Sequence, residues 1–139
     1  MQRFSTWMMV CSLAVAGMVT GCGDSDSGLA IMGEYVDQYA TSHVITETTW
    51  TQGESVYQIS QFSNDAQMVI AQNGSENEWN ADLWSRFDWT ENADGLWYCQ
   101  TAYDAASEED AMNTAAADAT DPATSGCNTF AWTKMDAGE

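Results

Sequence analysis

Runs of hydrophobic, β-branched and aromatic residues recur along the chain after residue 33, and such runs are typical of β-strands. Short polar turn signals, such as Gly53-Glu54 and 63–65, separate the runs. The pattern predicts strands at 35–39, 43–52, 56–62, 67–72, 85–89, 97–103 and 129–134. We therefore expect an all-β fold, an antiparallel small barrel or sandwich of about seven or eight short strands.

The clearest predicted hairpin lies in the second half of the chain. Phe87 and Trp89 alternate with polar residues, and Asp94-Gly95 supplies a strong turn signal. Trp97 and Cys99 then alternate with other residues on the returning strand. We expect Phe87, Trp89, Trp97 and Cys99 to share the inner face and to form an aromatic core around Cys99.

A segment of different composition lies between Cys99 and Cys127. Ser107 is followed by three acidic residues, which predicts a helix start, because serine caps free backbone N–H groups and acidic side chains favour the positive end of a helix. We expect a short acidic helix or loop over 105–117, lying on or beside the sheet. Turn residues at 121–126 end it. In the last predicted strand, Phe130 and Trp132 are expected to share a face.

The first 21 residues carry a different pattern from the rest. Arg3 is their one charged residue, a mostly apolar run fills 4–19, and the run closes on Val19-Thr20-Gly21-Cys22. This resembles the bacterial lipoprotein signal, in which an aliphatic residue and two small residues precede a cysteine that receives lipid. The apolar run is shorter than the about 20 residues that span a bilayer. The resemblance implies that residues 1–21 are removed and that Cys22 is lipidated.

A lipidated Cys22 places the mature protein in the bacterial cell envelope, lipid-anchored to a membrane on the periplasmic side or at the cell surface. Two or more acyl chains on one residue anchor a protein stably. Small and polar residues make 22–32 a flexible tether, and 33–139 then forms a single β domain. Whether the inner or the outer membrane holds the anchor is open, because sorting rules for Gly23 and Asp24 differ between bacteria.

Two further resemblances concern the mature chain. Segments 84–90, 98–105 and 120–127 resemble motifs of small uncharacterised bacterial lipoproteins. That resemblance implies a folding unit and carries no activity. The tripeptide Gly33-Glu34-Tyr35 is similar to the Gly-x-Trp opening of lipocalin-like barrels, with tyrosine in place of tryptophan.

The cysteines divide cleanly once the signal is set aside. Cys11 leaves with the signal peptide and Cys22 carries lipid, so Cys99 and Cys127 remain. Because paired cysteines oxidise outside the cytoplasm, we expect a disulfide between them. A cysteine-bound metal would need CxxC spacing or further histidines, and His43 is the only histidine.

The chain is strongly acidic, with a formal net charge of −18. Removal of residues 1–21 takes away Arg3 and no acidic residue, which leaves a charge of −19. Such a surface repels nucleic acid and anionic lipid headgroups, so neither is an expected partner. An acidic surface also suits a salt-rich medium, where screening reduces self-repulsion.

Candidate catalytic chemistry is sparse, and we expect a protein that is not an enzyme. His43 lies in a predicted strand, where a lone histidine is usually a packed or exposed polar residue. Asp88, Glu91, Asn92 and Asp94 form a compact acidic turn with oxygen ligands of the kind that Ca²⁺ prefers. Their spacing is not that of an EF-hand, so we expect no cofactor, with Ca²⁺ as the alternative.

The tryptophans separate into two groups. Four fit alternating core positions: Trp50, Trp89, Trp97 and Trp132. Trp79 and Trp84 instead flank a polar loop at 76–84, where an exposed indole can stack on a sugar or anchor a protein. The alternative is that this loop folds over one end of the barrel and buries both rings.

Together these features predict a lipid-anchored envelope protein that acts as a non-catalytic binding or interaction module. Trp79 and Trp84 are its predicted ligand-binding residues, and a glycan or an envelope protein is its predicted partner. Two alternatives stay open, namely a purely structural envelope lipoprotein and a small barrel that carries an apolar ligand.

Overall fold

The computed structural model describes residues 28–139, of which 31–139 form one compact unit. The predicted signal peptide 1–21, the predicted lipidation site Cys22 and residues 23–27 of the predicted tether lie outside the described residues. Across residues 28–139, no helix is long and apolar enough to cross a membrane.

Residues 28–139 form eight strands and one short helix. These are β1 (Gly33–Asp37), β2 (Ser42–Ile45), β3 (Thr49–Gln52), β4 (Ser55–Ser63), β5 (Met68–Asn73), β6 (Trp84–Asn92), β7 (Gly95–Ala105), α1 (Glu108–Asn113) and β8 (Thr133–Ala137). Each strand pairs antiparallel with the next, and β8 pairs with β1, so the sheet closes into a barrel. The predicted all-β fold is confirmed, and the barrel is its form.

The predicted strand 43–52 is two strands, β2 and β3. A turn at Thr46–Thr48 divides them, because the Thr46 hydroxyl accepts hydrogen bonds from the backbone N–H groups of Thr48 and Thr49. Threonine side chains commonly stabilise such turns. The β-branched composition that predicted one long strand is therefore interrupted by local side-chain chemistry.

The helix is shorter than the sequence predicts. It occupies only Glu108–Asn113, and Ser107 caps it by accepting a hydrogen bond from the Asp110 backbone N–H, as predicted. The last strand also begins late, at Thr133.

Aromatic side chains fill the inside of the barrel. Trp50 of β3 and Phe87 of β6 are fully buried and stack with their ring centroids 4.4 Å apart. Tyr57 and Tyr98 add edge-on and tilted contacts to this stack. Because β3 and β6 are not neighbours in the sheet, these rings meet across the interior.

The strand β7 is buried on both faces. Trp89 on β6 lies opposite Tyr98, so Tyr98 shares the inner face with Trp89 and Phe87. Trp97 and Cys99 flank Tyr98 along the strand and therefore point outwards. The prediction that they share the inner face with Phe87 and Trp89 is wrong, because a strand covered on both sides has apolar residues on both.

The segment 106–132, here called the crossover, covers this outer face. Trp132 of the crossover forms a buried cluster with Trp97 and Cys99 of β7, and Cys127 packs against the cluster. The predicted disulfide between Cys99 and Cys127 is confirmed, with Cα atoms 5.6 Å apart. The bridge therefore fastens the crossover to the outside of the barrel wall.

A buried ion pair fastens the crossover at a second place. Nη2 of Arg86 lies 2.9 Å from Oδ1 of Asp88, and both side chains are almost fully buried on the outer face of β6. The same guanidinium donates from Nη1 to the backbone carbonyls of Met112 and Thr114. Oδ2 of Asp88 accepts a hydrogen bond from the Ala117 backbone N–H. Both charges are thus used to hold main-chain groups of the crossover.

Candidate binding surface

The upper end of the barrel, defined as the end where β1, β3, β5 and β7 finish, carries the two longest connections, 74–83 and the crossover. The other connections at this end are 38–41 and 53–54. Together these connections contain three exposed aromatic residues, Tyr39, Trp79 and Phe130. A fourth, Tyr103, lies near the end of β7, just before the crossover. Exposed aromatic rings in a loop cluster are typical of binding surfaces.

Two asparagines hold the 74–83 loop in place. Nδ2 of the buried Asn73 donates to the backbone carbonyls of Asn80 and Tyr103, at 2.7 and 2.9 Å. Asn77 pairs with the main chain of Val56 in both directions, its Oδ1 accepting and its Nδ2 donating. Side chains thus supply the hydrogen bonds that a further strand would supply, and the loop is fixed at both ends.

Trp79 projects from this anchored loop and is 74 % exposed. Trp84 is the first residue of β6, where it is half-buried in the barrel wall opposite Gln72 and Ala105. The two tryptophans therefore differ in their surroundings, and the loop does not bury both rings. Of the pair, Trp79 is the one that presents most of its ring to a ligand.

A cleft of about 330 Å³ lies beside the loop. Residues 74–77 and Asp82 of the loop form part of its wall. Its functional groups are carboxylates and amides, contributed by Glu54, Glu76, Asp82, Gln58, Gln72 and Asn77. Lysine and arginine do not line it, so it favours neutral or cationic groups over anions. Its volume falls in the range of small-molecule sites, about 300 to 1,000 Å³.

The sequence pattern does not predict most of these residues, because the cleft joins the β3–β4 turn, two strands and the 74–83 loop.

The prediction that Phe130 shares a face with Trp132 is wrong. Phe130 is 72 % exposed, whereas Trp132 is buried. A tight turn explains this difference in burial. The backbone N–H and C=O groups of Cys127 and Phe130 are hydrogen-bonded to each other, which keeps Phe130 out of β8.

His43 lies inside the barrel in a chain of hydrogen bonds. The Trp50 indole N–H donates to Nδ1 of His43 at 3.1 Å, and Nε2 of His43 is 2.9 Å from Oδ2 of Asp37. Since an indole N–H can only donate, Nδ1 accepts and Nε2 carries the proton. Both imidazole nitrogens are occupied, so His43 is a packed structural residue and has no free nitrogen for acid–base chemistry.

Asp37 links this interior chain to the upper end. Its Oδ1 accepts hydrogen bonds from the backbone N–H groups of Tyr39 and Thr41, which shape the 38–41 turn. Burial alone raises the pKa of Asp37, but the hydrogen bonds from His43 and from the turn outweigh it, so its pKa is lowered. The carboxylate form is therefore the one that holds the turn.

Two tyrosines inside the barrel stay neutral. Burial raises the pKa of Tyr98 far above its ordinary value, and the nearby Asp37 carboxylate adds to the shift. Burial also raises the pKa of Tyr35, with a contribution from Glu91. The Tyr98 hydroxyl accepts a hydrogen bond from the Gln52 side chain at 3.0 Å, so its role is structural.

The acidic turn considered for Ca²⁺ is divided between two environments. Asp88 is buried in the wall, where Arg86 and Ala117 occupy its carboxylate. Asn92 and Asp94 lie in the exposed hairpin turn, and Asn92 Oδ1 accepts from the Asp94 backbone N–H. Within residues 28–139, no cluster of three or more His, Cys, Asp or Glu side chains is arranged to hold a metal ion.

Comparisons with protein-family models, with curated proteins and with solved structures each find no match. The likeness of segments 84–90, 98–105 and 120–127 to small bacterial lipoproteins therefore stays a prediction. The residues of this chain are the basis on which a function can be assigned.

Proposed function

We propose that this protein is a lipid-anchored binding module of the bacterial cell envelope, and that it binds a glycan without catalysis. The observation that carries the proposal is Trp79, which an anchored loop holds in solvent, while residues 74–77 and Asp82 of the same loop line a cleft rich in carboxylate and amide groups. The lipid anchor rests on the Val19-Thr20-Gly21-Cys22 sequence.

The chemistry of the cleft matches a sugar. The face of an indole ring packs against the apolar face of a pyranose, while amide and carboxylate groups exchange hydrogen bonds with its hydroxyls. The cleft offers both kinds of polar group and no basic side chain. A neutral or amino sugar therefore fits it better than an acidic one.

The barrel interior favours this outer site over an apolar ligand carried inside. Trp50 and Phe87 occupy the centre and are fully buried. An apolar ligand would have to displace this stack, at a cost of several kcal/mol for each large buried ring. A purely structural role, the other alternative, gives no reason to hold a tryptophan in water.

The anchor is tested by metabolic labelling with a radioactive fatty acid. Wild-type protein is expected to incorporate label, and Cys22→Ala is expected to incorporate none. Cys11→Ala is the matched control, since it also lies before the described domain and should leave labelling unchanged. Label that persists in Cys22→Ala would refute the anchor without touching the glycan proposal.

The glycan site is tested by tryptophan fluorescence of the full chain, titrated with neutral chito-, malto- and xylo-hexasaccharides. We expect one of these sugars to change the emission, and Trp79→Ala to weaken its binding by about tenfold, a typical loss for a central aromatic contact. Val44→Ala is the control, because Val44 is an exposed apolar residue of β2 that lies outside the loop cluster and should leave binding unchanged. Binding unaffected by Trp79→Ala, or silence from the whole panel, would overturn the proposal.

A further inference from the structure

The strand β7 is longer than its partner β8. On one side, β6 pairs with β7 as far as Ala105. On the other side, β8 pairs with it only at Leu96, Trp97 and Tyr98. Among residues 28–139, the 99–105 stretch therefore has no strand partner on the β8 side and forms a sheet edge there.

A cleft of about 560 Å³ runs along this edge. Residues 101–106 of β7 and its extension form one wall, and Asp110, Thr114 and Asn128 of the crossover form the other. The cleft shares no lining residue with the one beside the 74–83 loop. It is therefore a separate site, and a ligand can bind there whether or not the protein also binds a glycan.

The Asn128 side chain already occupies one position at which a partner strand would donate a hydrogen bond to β7. Nδ2 of Asn128 donates to the Thr101 backbone carbonyl, at a long distance of 3.3 Å. Proteins usually blunt a free edge with lysine, proline or a covering segment. Residues 101–105 contain no lysine or proline. Thr101 and Ala102 are buried, and the Tyr103 carbonyl accepts a hydrogen bond from Asn73, so the accessible part of the edge is 103–105.

The charge of the cleft selects its occupant. Asp104 and Asp110 line it and are both exposed, and no basic side chain lines it. The exposed Tyr103 ring adds a surface that attracts cations. A second copy of this edge would bring Asp104 towards another Asp104, and like charges that meet across paired strands are unfavourable.

We propose that this cleft binds an extended, lysine- or arginine-rich segment of another protein, which adds a strand to the free edge of β7. Main-chain hydrogen bonds would supply the affinity of such strand addition, and the two carboxylates would select basic side chains. The register of β7 against β6 shifts near Arg86, which increases the local twist. The added strand is therefore short, at about three to five residues.

The experiment uses the full chain and an eight-residue peptide that alternates lysine and valine. We expect binding in calorimetry, and slower hydrogen exchange of the 100–106 amides in the complex. A peptide of the same sequence, N-methylated at alternate residues, keeps the charge but has no backbone N–H donors along one edge. It is expected to bind at least about tenfold more weakly.

The double variant Asp104→Asn with Asp110→Asn keeps the shape of the cleft and removes its charge. We expect it to weaken binding of the lysine peptide at least threefold. The matched control is Asp65→Asn with Asp94→Asn, two exposed acids in connections at the opposite end, which should leave binding unchanged. No binding of the lysine peptide, equal binding of the N-methylated peptide, or protection outside 100–106 would each overturn the proposal.

Discussion

Replacing Arg86 by methionine tests whether the buried ion pair holds the crossover to the barrel. Methionine keeps much of the side-chain length and removes the guanidinium group. Three acceptors then lose a partner, namely the Asp88 carboxylate and the carbonyls of Met112 and Thr114. Asp88 keeps its hydrogen bonds from the Ala117 backbone N–H and from the Thr101 hydroxyl.

The magnitude depends on the burial of the pair. The two side chains are only 8 % and 5 % exposed, so the carboxylate left behind is not rehydrated. Removing one partner of such a pair costs about 3 to 5 kcal/mol. The remaining hydrogen bonds to Asp88 place our expectation for Arg86→Met at about 3 kcal/mol of unfolding free energy, the lower end of that range.

Urea unfolding of the disulfide-bonded protein measures this cost. The double variant Arg86→Met with Asp88→Leu leaves no buried charge, so we expect it to lose less stability than the two single changes combined. Hydrogen exchange at the Ala117 amide should become faster both in Arg86→Met and in the double variant. A loss below about 1 kcal/mol for Arg86→Met, which is typical of an exposed pair, would refute the view that the pair is buried and holds the crossover.

Three other predictions concern different parts of the molecule. The pKa of Asp37 is lowered in the folded protein, so its stabilisation is present above about pH 4 and is lost as the pH falls further; Asp37→Asn should flatten the acid side of the stability–pH curve in urea titrations, and an unchanged slope would contradict this. Replacing Cys99 and Cys127 by serine opens a 28-residue loop and should cost about 3.5 kcal/mol of unfolding free energy, while circular dichroism still reports the barrel. Gly126→Ala should destabilise by more than about 1 kcal/mol in thermal unfolding, because φ is +103° and the new Cβ would overlap the Asp118 carbonyl, whereas Ser125→Ala should change little.

Much of the barrel could be predicted from local sequence, because one face of most strands meets water. On β6, the alternation of Phe87 and Trp89 with Arg86 and Asp88 correctly separates inner from outer positions. It cannot show that the outer Arg86 and Asp88 are buried. Their cover comes from the crossover, which lies distant in sequence.

The inner and outer faces of β7 cannot be predicted from its local sequence, for a related reason. Trp97, Tyr98 and Cys99 are consecutive and all buried, so no alternation shows which of them faces inwards. Only the register with β6 decides it. The sequence pattern favours one core that contains the cysteine and its neighbouring aromatics, whereas the fold builds two, one inside the barrel and one outside.

The candidate site was predictable only in part. The polar surroundings of Trp79 are compatible with an exposed ring but do not decide it, because the same loop could also fold over the end of the barrel and bury Trp79 together with Trp84. Glu54 and Asp82 reach the same cleft from distant parts of the sequence, so their proximity depends on barrel closure. The free edge of β7 arises from the unequal lengths of two paired strands, which no periodicity reveals.

The position of the disulfide has a consequence for the order of assembly. Thr133, where β8 begins, pairs with Tyr98, which precedes it by 35 positions in the chain. Cys99 adjoins Tyr98 and Cys127 lies six residues before Thr133. Oxidation therefore replaces a long search by β8 with a short one, since the entropy of closing a loop falls with its length. A bridge formed before the barrel closes would therefore shorten the search of the last strand for its place.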